Sequence, residues 1–537
     1  MSIGFVEEVG VGSGCSAGQD GVVGSAAKPT GGLALAVDEI PLGRRVARLT
    51  LFSVGLIALA VGVLVLAAWL AHRVAPKEIV GQLPLGPEDI PAVSLLVAAG
   101  AAAAAFFVGL AALHAAAAMR VLARDRRIPP PLPPEMRRVR SAVLAPLGSS
   151  IRRLADDPEL PPSKLPEAAA DETPLRLTAL VPAHDEALTI AATLESLWGQ
   201  SRPPDRIVVI ADNCTDDTAE IARHQGAEVF TTVNNTHKKA GALNQALSGM
   251  FDHIDARDVV LVMDADSVIV PEFLQTAMAR LGADSDLIAV GGVFYGEEGA
   301  GLVGQLQRNE YTRYQRYISR RLGKVFVLTG TASLFRTYAL KAVADSRGEL
   351  LPGDPGDVYD TLAMTEDNEM TLSLKTLGAK MVSPMQCHVI TELMPNWRAL
   401  WRQRMRWQRG ALENIGAYGL TRATLRYWLQ QIGIGYGTIA LNAYLLLLLI
   451  TLLAADHVQF IWFWVGIGTI FVVERVVTVW PAGWRARLLA LPLVIEIAYD
   501  LVLQAVYVKS IFDIASGREA GWNYVPREMT SREAVTQ

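Results

Sequence analysis

The sequence predicts a cytoplasmic α/β domain with a mostly parallel sheet, inserted between N-terminal and C-terminal α-helical transmembrane segments. Three observations lead there. The 537-residue chain is 51% hydrophobic and 19% charged, too apolar for an ordinary soluble protein of its length. Its long apolar runs gather at the two ends. Between them, short β-branched runs alternate with helical stretches, the pattern of a parallel sheet covered on both faces.

Residues 1–43 are rich in Gly, Ala, Ser and Val without periodicity and are expected to form a disordered tail. Leu49 to Ala71 and Ala92 to Met119 are uncharged apolar runs, each long enough to cross a bilayer core of about 30 Å. They assign two transmembrane helices to residues 44–120. The first run is too long and lies too far into the chain for a signal peptide. Arg44, Arg45 and Arg48 precede the first helix, and Arg120, Arg124, Arg126, Arg127, Arg137, Arg138 and Arg140 follow the second. The positive-inside rule then places both flanks, and the middle of the chain, in the cytoplasm at the plasma membrane. Residues 121–173, with the run Pro129-Pro130-Pro131-Leu132-Pro133-Pro134, read as a semi-rigid linker.

The domain is expected over 174–395. It reads as strand Leu175–Val181, helix 187–199, strand Arg206–Ala211, helix 216–225, strand Val229–Thr232, helix 240–251 and strand Val259–Met263. In such sheets ligands bind beyond the carboxyl ends of the strands. Those positions are polar here: Pro182-Ala183-His184-Asp185-Glu186, Asp212-Asn213 and Asp264-Ala265-Asp266. Residues two apart in an extended segment face one side, so Asp264 and Asp266 can point into a single cleft. A hard cation such as Mg²⁺ is commonly held by one or two carboxylates together with substrate phosphates. An isolated DxD is a weak signal, and its place after a buried apolar strand gives it weight. Lys238-Lys239-Ala240-Gly241 opens a helix on the same edge, where lysine and a helix N-terminus both favour a phosphate-bearing ligand. Neither GxxxxGK[ST] nor a GxGxxG after the first strand occurs, so nucleotide triphosphatase and dinucleotide folds lose support.

Farther along, Thr365-Glu366-Asp367 precedes Trp401-Arg402-Gln403-Arg404-Met405-Arg406-Trp407-Gln408-Arg409. A carboxylate beside a diphosphate can take a proton from a sugar hydroxyl as general base. Arginine pairs with phosphate oxygens, and tryptophan offers a sugar ring a flat apolar face. Residues 396–428 also read as interfacial amphipathic helices with snorkelling arginines and anchoring tryptophans, and one helix can do both jobs.

After residue 428 the chain is apolar again. Leu429–Ala454, Phe460–Trp480 and Leu488–Phe512 are three candidate spans within 429–513, followed by a tail at 514–537. Trp480 to Arg487 reads as a cytoplasmic turn with interfacial tryptophans. Glu496 and Asp500 interrupt the last span; intramembrane acids face a bundle interior or cavity, so this segment is transmembrane, re-entrant or interfacial. Residues 348–361, rich in Gly, Pro and Asp, read as a mobile lid or a solvated loop. The donor sugar is expected to be set by loops such as 294–320 and 342–364.

In order along the chain, Pro182-Ala183-His184-Asp185-Glu186, Asp212, Lys239-Ala240-Gly241, Asp264-Ala265-Asp266, Thr365-Glu366-Asp367 and Gln403-Arg404-Met405-Arg406-Trp407 form a series. It closely resembles the membrane-integrated family 2 glycosyltransferases, which include cellulose, hyaluronan, chitin and poly-N-acetylglucosamine synthases. The resemblance covers about residues 175–415, and its QxxRW element is the most specific part. It implies a GT-A fold and transfer, with inversion, from a UDP-sugar donor. By position it implies that Asp212 contacts the uracil and Lys239 the diphosphate, with Glu186, Asp264 and Arg406 also on the donor. It implies that Asp266 ligates Mg²⁺ or Mn²⁺ and that Asp367, with Glu366 beside it, is the general base. Gln403, Arg406 and Trp407 match a gate around diphosphate and acceptor, and Thr329-Gly330-Thr331 an acceptor-facing loop. Two departures stand out: that loop lacks the cysteine of some synthases, and Asp212-Asn213 replaces consecutive aspartates. Neither acceptor nor sugar follows by analogy.

The leading expectation is a processive polysaccharide synthase that exports its chain, with membrane lipids around it and, because five helices are few for a channel, a homo-oligomer or export partner. A non-processive transferase to a membrane lipid acceptor is the alternative, and a non-catalytic nucleotide-sugar or polysaccharide binding or transport protein the third reading. Forty-nine Lys and Arg against 54 Asp and Glu give a net charge of −5, which leaves no overall basic field for nucleic acid. Cys15, Cys214 and Cys387 lie far apart without CxxC spacing, so neither a disulfide framework nor a cysteine zinc site is expected.

Overall fold

The computed structural model describes residues 46–60, 62, 90–122, 175–251, 253, 255, 258–321, 323–454 and 462–518. The tail expected at 1–43, the linker beyond 122 and the residues after 518 lie outside them. The strands are β1 (Leu177–Ala183), β2 (Arg206–Ala211), β3 (Glu228–Thr231), β4 (Val259–Met263), β5 (Val268–Ile269), β6 (Leu287–Gly291), β7 (Val293–Gly296), β8 (Ala332–Arg336), β9 (Lys380–Val382) and β10 (His388–Thr391). Two helices, α1 (Val46–Ala60) and α2 (Ile90–Leu122), precede them. The domain adds α3 (Ile190–Trp198), α4 (Thr218–His224), α5 (Lys238–Met250), α6 (Phe273–Ala283), α7 (Gly301–Arg320), α8 (Thr337–Ser346), α9 (Glu366–Thr376) and α10 (Trp397–Tyr418). Then come α11 (Arg422–Ala454), α12 (Trp462–Thr478), α13 (Gly483–Ala490) and α14 (Val494–Ser516).

Seven strands form the central sheet in the order β3-β2-β1-β4-β8-β6-β9. β8 alone runs against its neighbours β4 and β6; the other adjacent pairs are parallel. The sheet is mostly parallel, as the alternation predicts, and is mixed only through β8. Its strands are apolar on both faces because both faces are covered. Leu177, Ala179 and Val181 of β1 pack with Ile190 and Leu194 of α3 on one side, while Leu180 joins Leu243 and Leu247 of α5 on the other. Since β2 and β4 flank β1, the chain reverses its direction of travel across the sheet there, and a crevice opens beyond the strand ends.

One expected loop is a helix. Within 294–320, α7 occupies twenty residues. Its buried side combines Val303, Leu306, Tyr311 and Ile318 with the amides Gln307, Asn309 and Gln315. A search for apolar periodicity misses such a face because the buried amides read as surface. Much of the segment at 348–361 is buried, with 350 and 354–356 exposed. The buried Arg347 guanidinium donates to Pro352 O at 2.7 Å and Val358 O at 2.6 Å. Asn244 of α5 closes on the same segment through Tyr359 N and O, at 2.8 and 2.9 Å.

Among the described residues, no single helix is long and apolar enough to cross a membrane. Residues Trp480–Ala490 and Val494–Ser516 pass that test together, bent by 95°. The bend lies just before the two acids that interrupt the last apolar run.

Candidate active site

The floor of the site is made by strand ends. Asp264 and Asp266 follow β4, whose five residues are all buried. The turn that carries them is fixed by Thr193 of α3, whose hydroxyl donates to Ala265 O at 2.7 Å. Lys239, in the first turn of α5, lies between two carboxylates, 2.6 Å from Asp264 Oδ1 and 2.8 Å from Glu366 Oε1. Against the downward push of burial, these two charges raise the lysine well above its ordinary range. Against the upward push of burial, the same lysine holds Glu366 below the usual carboxylate range.

Antiparallel pairing brings in the loop that precedes β8. Met263 faces Ala332 across the β4–β8 ladder, so the residue entering β8 meets the residue leaving β4. Asp264 N donates to Thr331 O at 3.0 Å. The neighbouring Gly330 N donates to Asp367 Oδ2 at 3.1 Å. A Cβ added at Gly330 would lie 3.2 Å from that oxygen, so glycine allows the close approach. Asp367 sits in the first turn of α9 with Glu366 and Glu369, where the helix dipole favours negative charge. Burial and then the Glu366 charge push its carboxyl up to about 6.

Behind α9, the buried Glu369 pairs with Arg347 Nη2 at 2.8 Å and accepts from Tyr418 OH at 2.5 Å. α10 holds the other end. Asn414 Nδ2 donates to Thr365 O at 3.0 Å, and a Cβ added at Gly410 would lie 2.6 Å from Thr365 Oγ1. The acidic turn is thus clamped on both sides, which suits a group that must be held in one place to react.

Asp266 carries the strongest mark of an ion site. Burial, followed by the negative charges of Asp264, Glu186 and Glu392, pushes its carboxyl up to about 7. Hard oxygen donors with excess negative charge fit Mg²⁺ or Mn²⁺. A cationic zone lies nearby: the lysine at the start of α5, Lys238, is lowered by burial and then by the Arg406 charge. Two cations in range of each other suit an anion such as a diphosphate.

A cavity of about 1280 Å³ joins these groups. Lys239, Asp264, Asp266, Thr329, Gly330, Thr331, Glu366, Asp367, Gln403, Arg406 and Trp407 all line it. Eleven of the thirteen expected residues therefore meet in one space. Glu186 and Asp212 do not line it. Glu186 is close enough to act on Asp266. Asp212 is buried at the end of β2, with Oδ1 accepting from Thr232 Oγ1 and Asn235 Nδ2, each at 2.8 Å. Sequence reasoning passed over Glu392 after β10, Glu310, Tyr311 and Tyr314 on α7, and Arg404 on α10. Arg404 was visible inside QxxRW; the others had no motif to mark them.

Among the described residues, Asp185, Cys214 and Asp216 form a second group able to hold a metal ion, with ligand atoms within 4.8 Å of one another. Its carboxylates already tie the loop: Asp185 Oδ1 accepts from Thr215 N at 2.6 Å, and Asp216 Oδ1 from Thr218 N at 3.0 Å. Burial raises the Cys214 thiol, which keeps it protonated and a poor ligand for a hard cation.

The family model described as glycosyltransferase like family 2 matches residues 174–410. This stretch is a family 2 glycosyltransferase domain. The chain is 25% identical over 259 residues to the poly-β-1,6-N-acetyl-D-glucosamine synthase of Staphylococcus aureus strain COL, covering 47% of this chain and 58% of that protein. It is 28% identical over 260 residues to the UDP-forming cellulose synthase 1 catalytic subunit of Komagataeibacter xylinus, covering 47% and 32%. The matches thus span less than two thirds of either relative. Among solved structures, a mannosyltransferase from Pyrobaculum calidifontis in complex with GDP-Man and Mn²⁺ matches at 15% identity, covering 76% of this chain and all of that one, with a TM-score of 0.41. Glucosyl-3-phosphoglycerate synthase from Mycobacterium tuberculosis, with Mn²⁺ and UDP, matches at 18%, covering 46% and 80%, with a TM-score of 0.32. The family match ends within α10, the helix that carries QxxRW.

Proposed function

We propose that this enzyme is a processive, inverting polysaccharide synthase of the plasma membrane that takes sugar from a UDP-sugar at the cytoplasmic face and passes the growing chain between its own C-terminal helices. One observation carries the reading. The cavity does not stop at Asp367: it continues past Trp407 along Tyr427, Gln431 and Thr438 of α11 to Phe471 of α12 and Gln504 of α14. A site for a small soluble acceptor has no need of such an extension. Amides, hydroxyls and aromatic rings suit a sugar chain, which needs hydrogen bonds at its rim and flat contacts on its faces.

In this mechanism Arg406 and Lys238 bind and orient the donor diphosphate, in place of the expected Lys239, whose ammonium is paired with Asp264 and Glu366. Asp266, with Asp264 and Glu186 nearby, would hold Mg²⁺ or Mn²⁺, which would supply positive charge opposite the departing diphosphate. Asp367, fixed by Gly330 N and by the clamp behind α9, accepts the proton of the acceptor hydroxyl as that oxygen attacks the anomeric carbon from the opposite face. The hydroxyl oxygen gains the glycosidic bond, the anomeric carbon loses its bond to phosphate, and UDP leaves. Lys239 keeps Glu366 ionised and away from that proton.

A single-transfer reading has one observation of its own. Leu441, Leu445 and Leu448 make the far part of the cavity apolar, which also suits a lipid tail. Purified protein in nanodiscs, given a panel of UDP-sugars with Mg²⁺ or Mn²⁺, separates the two by UDP release and product sizing. Long product from one donor supports the synthase; UDP release with lipid-sized product only supports single transfer; absence of UDP release across the panel overturns both.

A further inference from the structure

The QxxRW segment contains two arginines in unlike surroundings. Both line the cavity, Arg406 at its proposed donor end and Arg404 with only 5% of its surface exposed. The Arg404 guanidinium uses three of its edges and faces. Nη1 donates to Gln403 Oε1 at 2.7 Å, and Nη2 donates to Glu310 Oε2 at 2.8 Å. Its flat face covers the Trp407 ring, with Cζ 4.3 Å from the centroid. Glu310 Oε2 accepts a second bond, from Tyr499 OH of α14 at 2.6 Å. The two side chains at the acceptor end of QxxRW thus share one buried cation. That cation is anchored on α7, and through Glu310 on α14.

We propose that Arg404, locked by Glu310 and Tyr499, is a positioning residue that seats Gln403 and Trp407 against the acceptor sugar, so that α14 sets the geometry of acceptor binding. The inference rests on the acceptor lying in the cavity as proposed above. A tryptophan ring at a cavity wall turns about two side-chain bonds unless something holds its face. Here the Arg404 guanidinium is stacked on that face. The planar fork matters as well as the charge, because it bonds a carboxylate and an amide at once while stacking. The floor is independent of this device. Its bonds run from Lys239 to Asp264 and Glu366 and from Gly330 to Asp367.

Two further contacts support α7 as the strut. Arg313 reaches the fully buried Glu496 of α14 at 2.9 Å, and Asn309 Nδ2 donates to the same carboxylate at 3.3 Å. The acid that interrupts the last apolar run therefore helps to hold α7 against α14 and leaves Glu310 facing Arg404.

The test uses the full chain in nanodiscs with Mn²⁺ and UDP-N-acetylglucosamine or UDP-glucose, comparing wild type with Glu310→Gln, Tyr499→Phe and Arg404→Lys. UDP affinity in the presence of Mn²⁺ is expected to stay within about twofold in Glu310→Gln, while mean product length falls by about tenfold. Tyr499→Phe is expected to shift product length in the same direction by about threefold, because one of two bonds to Glu310 is lost. Arg404→Lys is expected to shorten the product as Glu310→Gln does, since lysine keeps the charge without the fork, and wild-type length in that variant counts against the positioning role. A cryo-EM map of Glu310→Gln should show the Trp407 ring turned away from Arg404. Polymer of unchanged length in Glu310→Gln, or UDP affinity falling in parallel with length, overturns the positioning role. If wild-type protein makes no polymer from any donor, the functional reading fails, and an unmoved Trp407 in the map then overturns the positioning separately.

Discussion

The floor of the cavity, proposed to hold the donor, and its wall, proposed to hold the acceptor, are built by different means. The floor is assembled from residues that follow strands or open helices: Asp264 and Asp266 after β4, Lys239 at the start of α5, Glu366 and Asp367 at the start of α9. Backbone position alone delivers these side chains to one edge of the sheet. The wall is assembled from the flanks of α7, α10, α11, α12 and α14, where aromatic rings stand beside charges paired with one another, Arg404 with Glu310 and Arg475 with Asp500. Phe294 and Tyr314 stack at 5.1 Å, and Phe294 meets Tyr311 edge-on at 4.7 Å. Under the proposed function, chemistry is concentrated at topologically fixed points, while product handling is spread over surfaces that depend on helix packing. Damage to the floor should abolish transfer; damage to the wall should change what is made.

The largest expected effect is at Asp367. Asp367→Asn keeps the shape and the bond from Gly330 N but removes the base, so transfer should fall by about 10³-fold or more while Mn²⁺-dependent UDP binding stays within about threefold. Normal turnover in that variant would remove Asp367 from the reaction. Next comes Asp266→Asn, expected to weaken Mn²⁺-dependent UDP binding by about 10- to 100-fold. An unchanged Mn²⁺ titration, read by calorimetry, would move the ion elsewhere, with Asp185, Cys214 and Asp216 the alternative to examine.

The pH profile sharpens the same end of the comparison. Asp367 is raised to about 6, and it must be deprotonated to accept a proton. At saturating metal, kcat/KM should therefore rise about tenfold per pH unit up to about pH 6 and then level off. A limb that levels near pH 4 would mean that Asp367 is not the group titrating. The smallest effect on chemistry belongs to the wall. Gly437 of α11 lines the cavity, and a Cβ built on it meets nothing within 4 Å. Gly437→Leu should leave UDP affinity within about twofold and shorten the product, because it narrows the passage beyond the reacting atoms. Long product from this variant would place the chain on another route.

The sequence alone determined the doubly covered sheet, since β1, β2 and β4 are continuous apolar runs that only a two-sided cover can bury. It also determined the identity of the floor, because residues after strands converge whatever the loops do. The ordered motifs were enough to point to a family 2 glycosyltransferase, and the family model matches the same stretch. Tertiary structure decided the rest. That β8 runs antiparallel, bringing Thr331 beside Asp264, follows from a pairing between residues far apart in the chain. The packing of 348–361 rests on Arg347, whose sequence position says nothing of its burial. The buried face of α7 is hidden from periodicity by Gln307, Asn309 and Gln315, whose amides find partners only once β7, the 391–396 turn, α13 and α14 are in place. A polar residue can be a surface group or a buried strut with equal local propensity, and only the partners that folding supplies choose between them.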